Sequence, residues 1–139
     1  MMKKYEILDH TADIGLKIYG RDLKRLFENA AAGLFSLISE TGCVKPKKEF
    51  KVKIKAPDIE ELLVSWLREL LYRYDTKKIL FCDFKIQKIS KNSLEAVCKG
   101  EKLDIKKHTL KMEVKAITYC QLKIKKTAQG FKAQVIFDI

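Results

Sequence analysis

From Ile79 onward the sequence carries strand patterning and no helical periodicity. Runs at Ile79–Ile89, Ser93–Lys99, Leu110–Tyr119, Gln121–Lys126 and Phe131–Phe137 are rich in β-branched and aromatic residues, and turn residues such as Lys91-Asn92 and Gln129-Gly130 separate them. Strands joined by connections this short cannot cross over to become parallel neighbours, so the tail must fold as antiparallel sheet. Upstream, Lys4 to Leu8 and Ile14 to Tyr19 read as two short strands, and a lysine-edged strand runs from Glu49 to Ala56. Two segments have helical spacing instead. Asp22 caps the first, in which Leu23, Leu26, Phe27, Ala30, Ala31, Leu34, Phe35 and Ile38 repeat on one face. Pro57-Asp58 opens the second, with Asp58 and Glu61 spaced as a capping box and Leu62, Leu63, Trp66, Leu67, Leu70 and Leu71 on its apolar side. The expected fold class is α+β: two amphipathic helices packed on mostly antiparallel sheet. No repeat or linker divides the chain, so residues 1–139 are expected to form a single domain.

Composition narrows the function classes. An apolar fraction of 47% over 139 residues is enough for a real core. No apolar run is long enough to span a bilayer, and the segment after Met1-Met2-Lys3-Lys4 is not a signal-peptide core, so a cytoplasmic protein is expected. Cys43, Cys82, Cys98 and Cys120 are scattered without a C-x-x-C pair, which argues for reduced thiols and against structural zinc. Most of the basic residues behind the net charge of +11 are lysines, and they alternate with apolar residues in Phe50-Lys51-Val52-Lys53-Ile54-Lys55 and Leu122-Lys123-Ile124-Lys125. That alternation makes the wet face of half-buried strands and protects sheet edges. It supports weak, nonspecific attraction to RNA, without the aromatic stacking that RNA modules add.

The chemistry is concentrated at two places far apart in sequence. Asp13 closes Asp9-His10-Thr11-Ala12-Asp13 at the start of a strand, and Asp138 precedes the last residue, Ile139, where a strand should finish. If the first and last strands lie side by side, Asp13, Asp138 and the terminal carboxylate converge. Anions that close repel unless a cation joins them. The other reading is a solvated pair of strand ends. Alternation through Glu113-Val114-Lys115-Ala116-Ile117-Thr118-Tyr119 puts Glu113, Lys115 and Tyr119 on one face, either as a plain surface or as a polar strip leading to the acidic end. There is no phosphate-binding glycine loop, no G-x-S-x-G, no H-E-x-x-H and no supported nucleophile–base pair, so an enzyme acting alone is not expected.

Several segments together resemble the archease family: Asp9-His10-Thr11-Ala12-Asp13-Ile14-Gly15, the helix beginning Asp22-Leu23 with Leu26-Phe27-Glu28, and Glu60-x-Leu62-Leu63-x-x-Trp66-Leu67. Gly100-Glu101, His108, Glu113-Val114-Lys115-Ala116-x-Thr118-Tyr119 and Phe137-Asp138-Ile139 complete the match, which covers essentially the whole chain. Cys120 stands where that family commonly has a histidine. The resemblance implies an accessory protein that promotes guanylylation and multiple turnover of an RtcB-type tRNA-splicing RNA ligase, touching tRNA only through the ligase. It equally admits a chaperone-like modulator of a tRNA-modifying enzyme such as a tRNA methyltransferase. It implies a divalent metal, calcium in the family's usual description, held by Asp13, Asp138 and the backbone or terminal oxygens of Ile139. His10, Glu113, Lys115 and His108 lie in matched segments and are candidates for supporting or partner-facing roles.

Overall fold

The computed structural model describes residues 3–9, 13–118 and 123–139. Strands β1 (Tyr5–Asp9) and β2 (Asp13–Gly20) lead into helix α1 (Leu23–Ile38), and a short 3-10 turn (Thr41–Cys43) leads to β3 (Lys48–Lys55). Helix α2 (Ile59–Lys77) follows, then β4 (Ile79–Ile89), β5 (Ser93–Lys102), β6 (Ala116–Thr118), β7 (Lys125–Thr127) and β8 (Gly130–Asp138). The fold class is α+β, as the sequence pattern requires. The strands form two antiparallel sheets, ordered β1-β2-β8-β6 with β7 also on β8, and β3-β5-β4.

Both helices start where their capping residues place them. The Asp22 carboxylate accepts from the Arg25 amide at 2.8 Å, and the Asp58 carboxylate accepts from the Glu61 amide at 2.8 Å. Helix α1 lies between the sheets, against β2 and β8 on one side and β4 on the other. Its Leu26, Phe27, Ala30, Leu34, Phe35 and Ile38 are fully buried, in a core that also takes Ile14, Leu16 and Ile18 from β2 and Val135 and Phe137 from β8. Phe35 meets Phe81 edge-on at 5.5 Å and Phe84 at 5.8 Å, which knits α1 to β4. Helix α2 joins the same core through Trp66, whose indole N–H donates to the Phe27 carbonyl at 2.9 Å. The lysines of β3 are exposed along an edge strand, where they oppose pairing with another chain.

The tail departs from the expected pattern at Leu110–Tyr119. Only Ala116–Thr118 is strand within its described part. The end of α1 takes up the preceding residues: the Lys111 amide donates to the Ile38 carbonyl at 2.8 Å, and the Glu40 amide donates to Thr109 at 3.0 Å. Carbonyls left unpaired at the helix terminus are thus satisfied by a segment that would otherwise have continued the sheet. Of the strand expected at Gln121–Lys126, residues 121 and 122 lie outside the described residues, Lys123 and Ile124 are not strand, and pairing starts at Lys125 and runs to Thr127.

Candidate functional site

The acidic end is built by the large sheet. The neighbour of the last strand is β2, with β1 outside it on the edge. In the β2–β8 register Asp13 is directly opposite Asp138, and Asp138 is also opposite Ala116 of β6. Ile14, Leu16 and Ile18 point into the core, so Asp13 belongs to the outer face. Asp138 follows the buried Phe137 and lies on that face too. Directly opposed residues of an antiparallel pair project to the same side, so both carboxylates stand on the solvent face of one sheet end. The Lys115 amide donates to the Asp138 carbonyl at 2.8 Å, which ties the approach to β6 against the end of β8. Ile139 is partly exposed immediately beyond.

The donor chemistry at this end is oxygen only, which suits a hard cation rather than zinc or copper. Two carboxylates are a fraction of the about six to eight oxygens that calcium takes. Among the described residues, no three His, Cys, Asp or Glu side chains gather into a metal-holding group. The remaining oxygens would have to come from Ile139, from backbone, from water or from a partner.

The other candidates are dispersed. His10, Tyr119 and Cys120 lie outside the described residues. The polar strip expected from alternation through Glu113–Tyr119 is broken: Val114 and Ile117 are the buried residues, three apart, while Lys115 and Ala116 are both exposed. Irregular backbone before Ala116 removes the period of two on which the strip depended. Glu113 lies near the last turns of α2, where it adds to burial and to Asp75 in raising the Tyr74 phenol above its ordinary value. Lys115 borders a shallow hollow with Arg68, Tyr72 and Asp75 of α2, and the Arg68 guanidinium donates to the Ile117 carbonyl at 3.2 Å.

His108 faces inward rather than toward a partner, with 4% of its surface exposed. Its Nδ1 accepts from the Asp104 amide at 2.9 Å, which puts the ring proton on Nε2, and Nε2 donates to Glu101 at 3.0 Å. Glu101, itself 7% exposed, also accepts from the Lys107 ammonium at 2.8 Å and the Lys45 amide at 2.7 Å. These bonds, Lys107 first, then His108 and Lys45, hold its carboxyl far below the usual carboxylate range. This cluster closes the loop 103–110 onto β5. The sequence contained both residues, but nothing in their spacing marked them as bonded to each other.

Two glutamates in matched segments also prove to be fasteners. Glu28 of α1 accepts from the Ile86 amide at 2.9 Å, where the β4–β5 register shifts. Glu60 of α2 accepts from the Ile124 amide at 3.2 Å, just before β7.

A model of the Archease protein family matches residues 5–139. The chain belongs to the archease family. Protein archease of Methanosarcina acetivorans is 45% identical over 141 residues, covering 99% of this chain and 97% of that one. Protein archease of Pyrococcus furiosus is 42% identical, covering 99% and 100%. The solution structure of protein 1598 of Methanobacterium thermoautotrophicum superposes with a TM-score of 0.83 at 37% identity, covering 99% of this chain and 100% of that one. A Thermotoga maritima crystal structure, described as an archease and possible chaperone, shares the fold with a TM-score of 0.69 at 22% identity over 100% of this chain and 98% of that one. Archease membership thus accounts for the whole described fold, including the end that carries Asp13 and Asp138.

Proposed function

We propose that this chain is an accessory protein, acting in the cytoplasm, that promotes guanylylation of an RtcB-type tRNA-splicing RNA ligase and so sustains its turnover. Family membership supports the class of function. The observation that carries the site is the register pairing of Asp13 with Asp138 on one exposed sheet end. In this reading Asp13, Asp138 and the oxygens of Ile139 hold a hard divalent cation, calcium as the family resemblance implies. Such an ion, when bound, supplies positive charge with open coordination positions for a partner's anionic groups. The protein's own contribution is to hold two carboxylates side by side on a rigid sheet. Lys115, anchored through its amide to the Asp138 carbonyl, is exposed at the same end of the sheet, where it borders the hollow beside α2 and is open to a partner.

The test is single-turnover formation of ligase–GMP from ligase, GTP and metal, with and without this chain. The chain is expected to accelerate it. Asp13→Ala and Asp138→Ala are each expected to abolish the acceleration, since each removes one of few anionic ligands, with thermal midpoints near that of the parent because both residues lie at a sheet end outside the core. Full acceleration by both variants would remove the metal-site reading.

A further inference from the structure

The outer face of the large sheet carries a second feature, of opposite charge. Along β2 it starts four residues from Asp13, about 13 Å away at strand rise. Here Lys17, Tyr19, Lys123, Lys125, Lys132 and Gln134 line a cleft of about 350 Å³. The strand register explains how they meet. Tyr19 is opposite Lys132, and Lys132 is opposite Lys125, which makes one row across β2, β8 and β7. Lys17 is opposite Gln134 in the next row on that face, about 7 Å along the strands, and Lys123 borders the same cleft.

This arrangement is unfavourable without a ligand. Lys125 and Lys132 are directly opposed like charges, which destabilise a strand pair. Among the described residues no carboxylate lies within ion-pair distance of any of the four lysines, and no acidic residue lines the cleft. Glu6 is the register partner of Lys17 but lies outside the lining. The basic segment is also held in place: the Glu60 carboxylate fixes the Ile124 amide, and Ile124 packs against the core between Lys123 and Lys125. The lysines of β3 differ, because they stand along an exposed edge, where Lys53 pairs with Glu95 at 3.9 Å.

We propose that the cleft between β2, β8 and the 123–127 segment is a binding site for consecutive phosphate groups. An extended RNA strand carries such groups, and so does a free polyphosphate chain. Lysines from two neighbouring rows, Lys125 and Lys132 in one and Lys17 in the next, can meet successive phosphates of one chain, and Tyr19 offers a ring against which a base can stack. The site does not depend on the acidic end or on the ligase reading.

The experiment measures binding of fluorescent decauridylate and of inorganic tripolyphosphate to the whole protein across a salt series. The double variant Lys125→Gln/Lys132→Gln is compared with Lys51→Gln/Lys55→Gln, which removes the same charge from β3. The cleft variant is expected to weaken decauridylate binding about tenfold and to lower the salt slope by about 1.4, while the β3 variant changes affinity less than about twofold. Tripolyphosphate should raise the thermal midpoint of the parent more than that of the cleft variant. Without ligand, the cleft variant should melt no lower than the parent, since it loses a repulsion. Cleft-dependent binding of decauridylate alone identifies the strand as the source, and of tripolyphosphate alone a free polyphosphate. If neither probe separates the cleft variant from the β3 variant, the attraction is diffuse and the proposal fails.

Discussion

Single residues in this protein are legible wherever one neighbour decides their role. Asp22 and Asp58 are helix caps because a short acceptor just before an apolar-periodic run has an amide three residues on to accept from. Trp66 reads as core from its spacing, but the Phe27 carbonyl that satisfies its N–H, 39 residues earlier, is visible only in three dimensions. Ser39 is the converse. It ends α1 and pairs as a bridge with Leu110, yet its buried hydroxyl finds no hydrogen-bond partner among the described residues. An unsatisfied buried hydroxyl is a cost that alanine removes without leaving a large void. Ser39→Ala should therefore stabilise the protein by about 1 kcal/mol, read as a higher urea midpoint at unchanged slope. A clear loss of stability would mean the hydroxyl has a partner in solution.

Elements follow from periodicity except where two of them compete for the same backbone groups. Helices α1 and α2 and strands β3, β4, β5 and β8 lie where the apolar pattern puts them. Residues 110–115 do not, because the carbonyls at the end of α1 draw in the Lys111 amide and that competition is invisible in a local pattern. The loop beyond β5 depends instead on Glu101. Its folded carboxyl is held below its ordinary value of 4.5, so the stabilisation is complete above that pH and is lost as pH falls from there toward the depressed folded value. Glu101→Gln should lower the thermal midpoint at neutral pH. The gap between variant and parent should then narrow steadily below pH 4.5, as the parent loses what the variant never had. A gap independent of pH would show that the ionised carboxylate is not what closes the loop.

At the scale of the whole molecule, α2 acts as a clamp on the far edge of the large sheet. Arg68 holds the Ile117 carbonyl of β6, and Glu60 holds the Ile124 amide before β7. Among the described residues both short strands pair only with β8, each over three residues. Glu60→Ala should therefore increase amide exchange at Ile124 and through β7 while leaving α1 and β5 protected. Uniform protection across both proteins would show that β8 alone holds the segment. The sequence by itself determined the α+β class, the two capped helices, the antiparallel tail and the two acidic strand ends, because each depends on a local period or on a neighbour three residues away. Its resemblance to the archease family, carried by motifs in order along the chain, belongs to the same level. Tertiary structure alone decided that β2 rather than β1 pairs with β8, which makes Asp13 the partner of Asp138. It also decided that His108 closes on Glu101 and that lysines from positions 17, 123, 125 and 132 share one cleft. Those outcomes depend on register between strands more than a hundred residues apart and on which buried acceptor a side chain reaches, and no one-dimensional period encodes either.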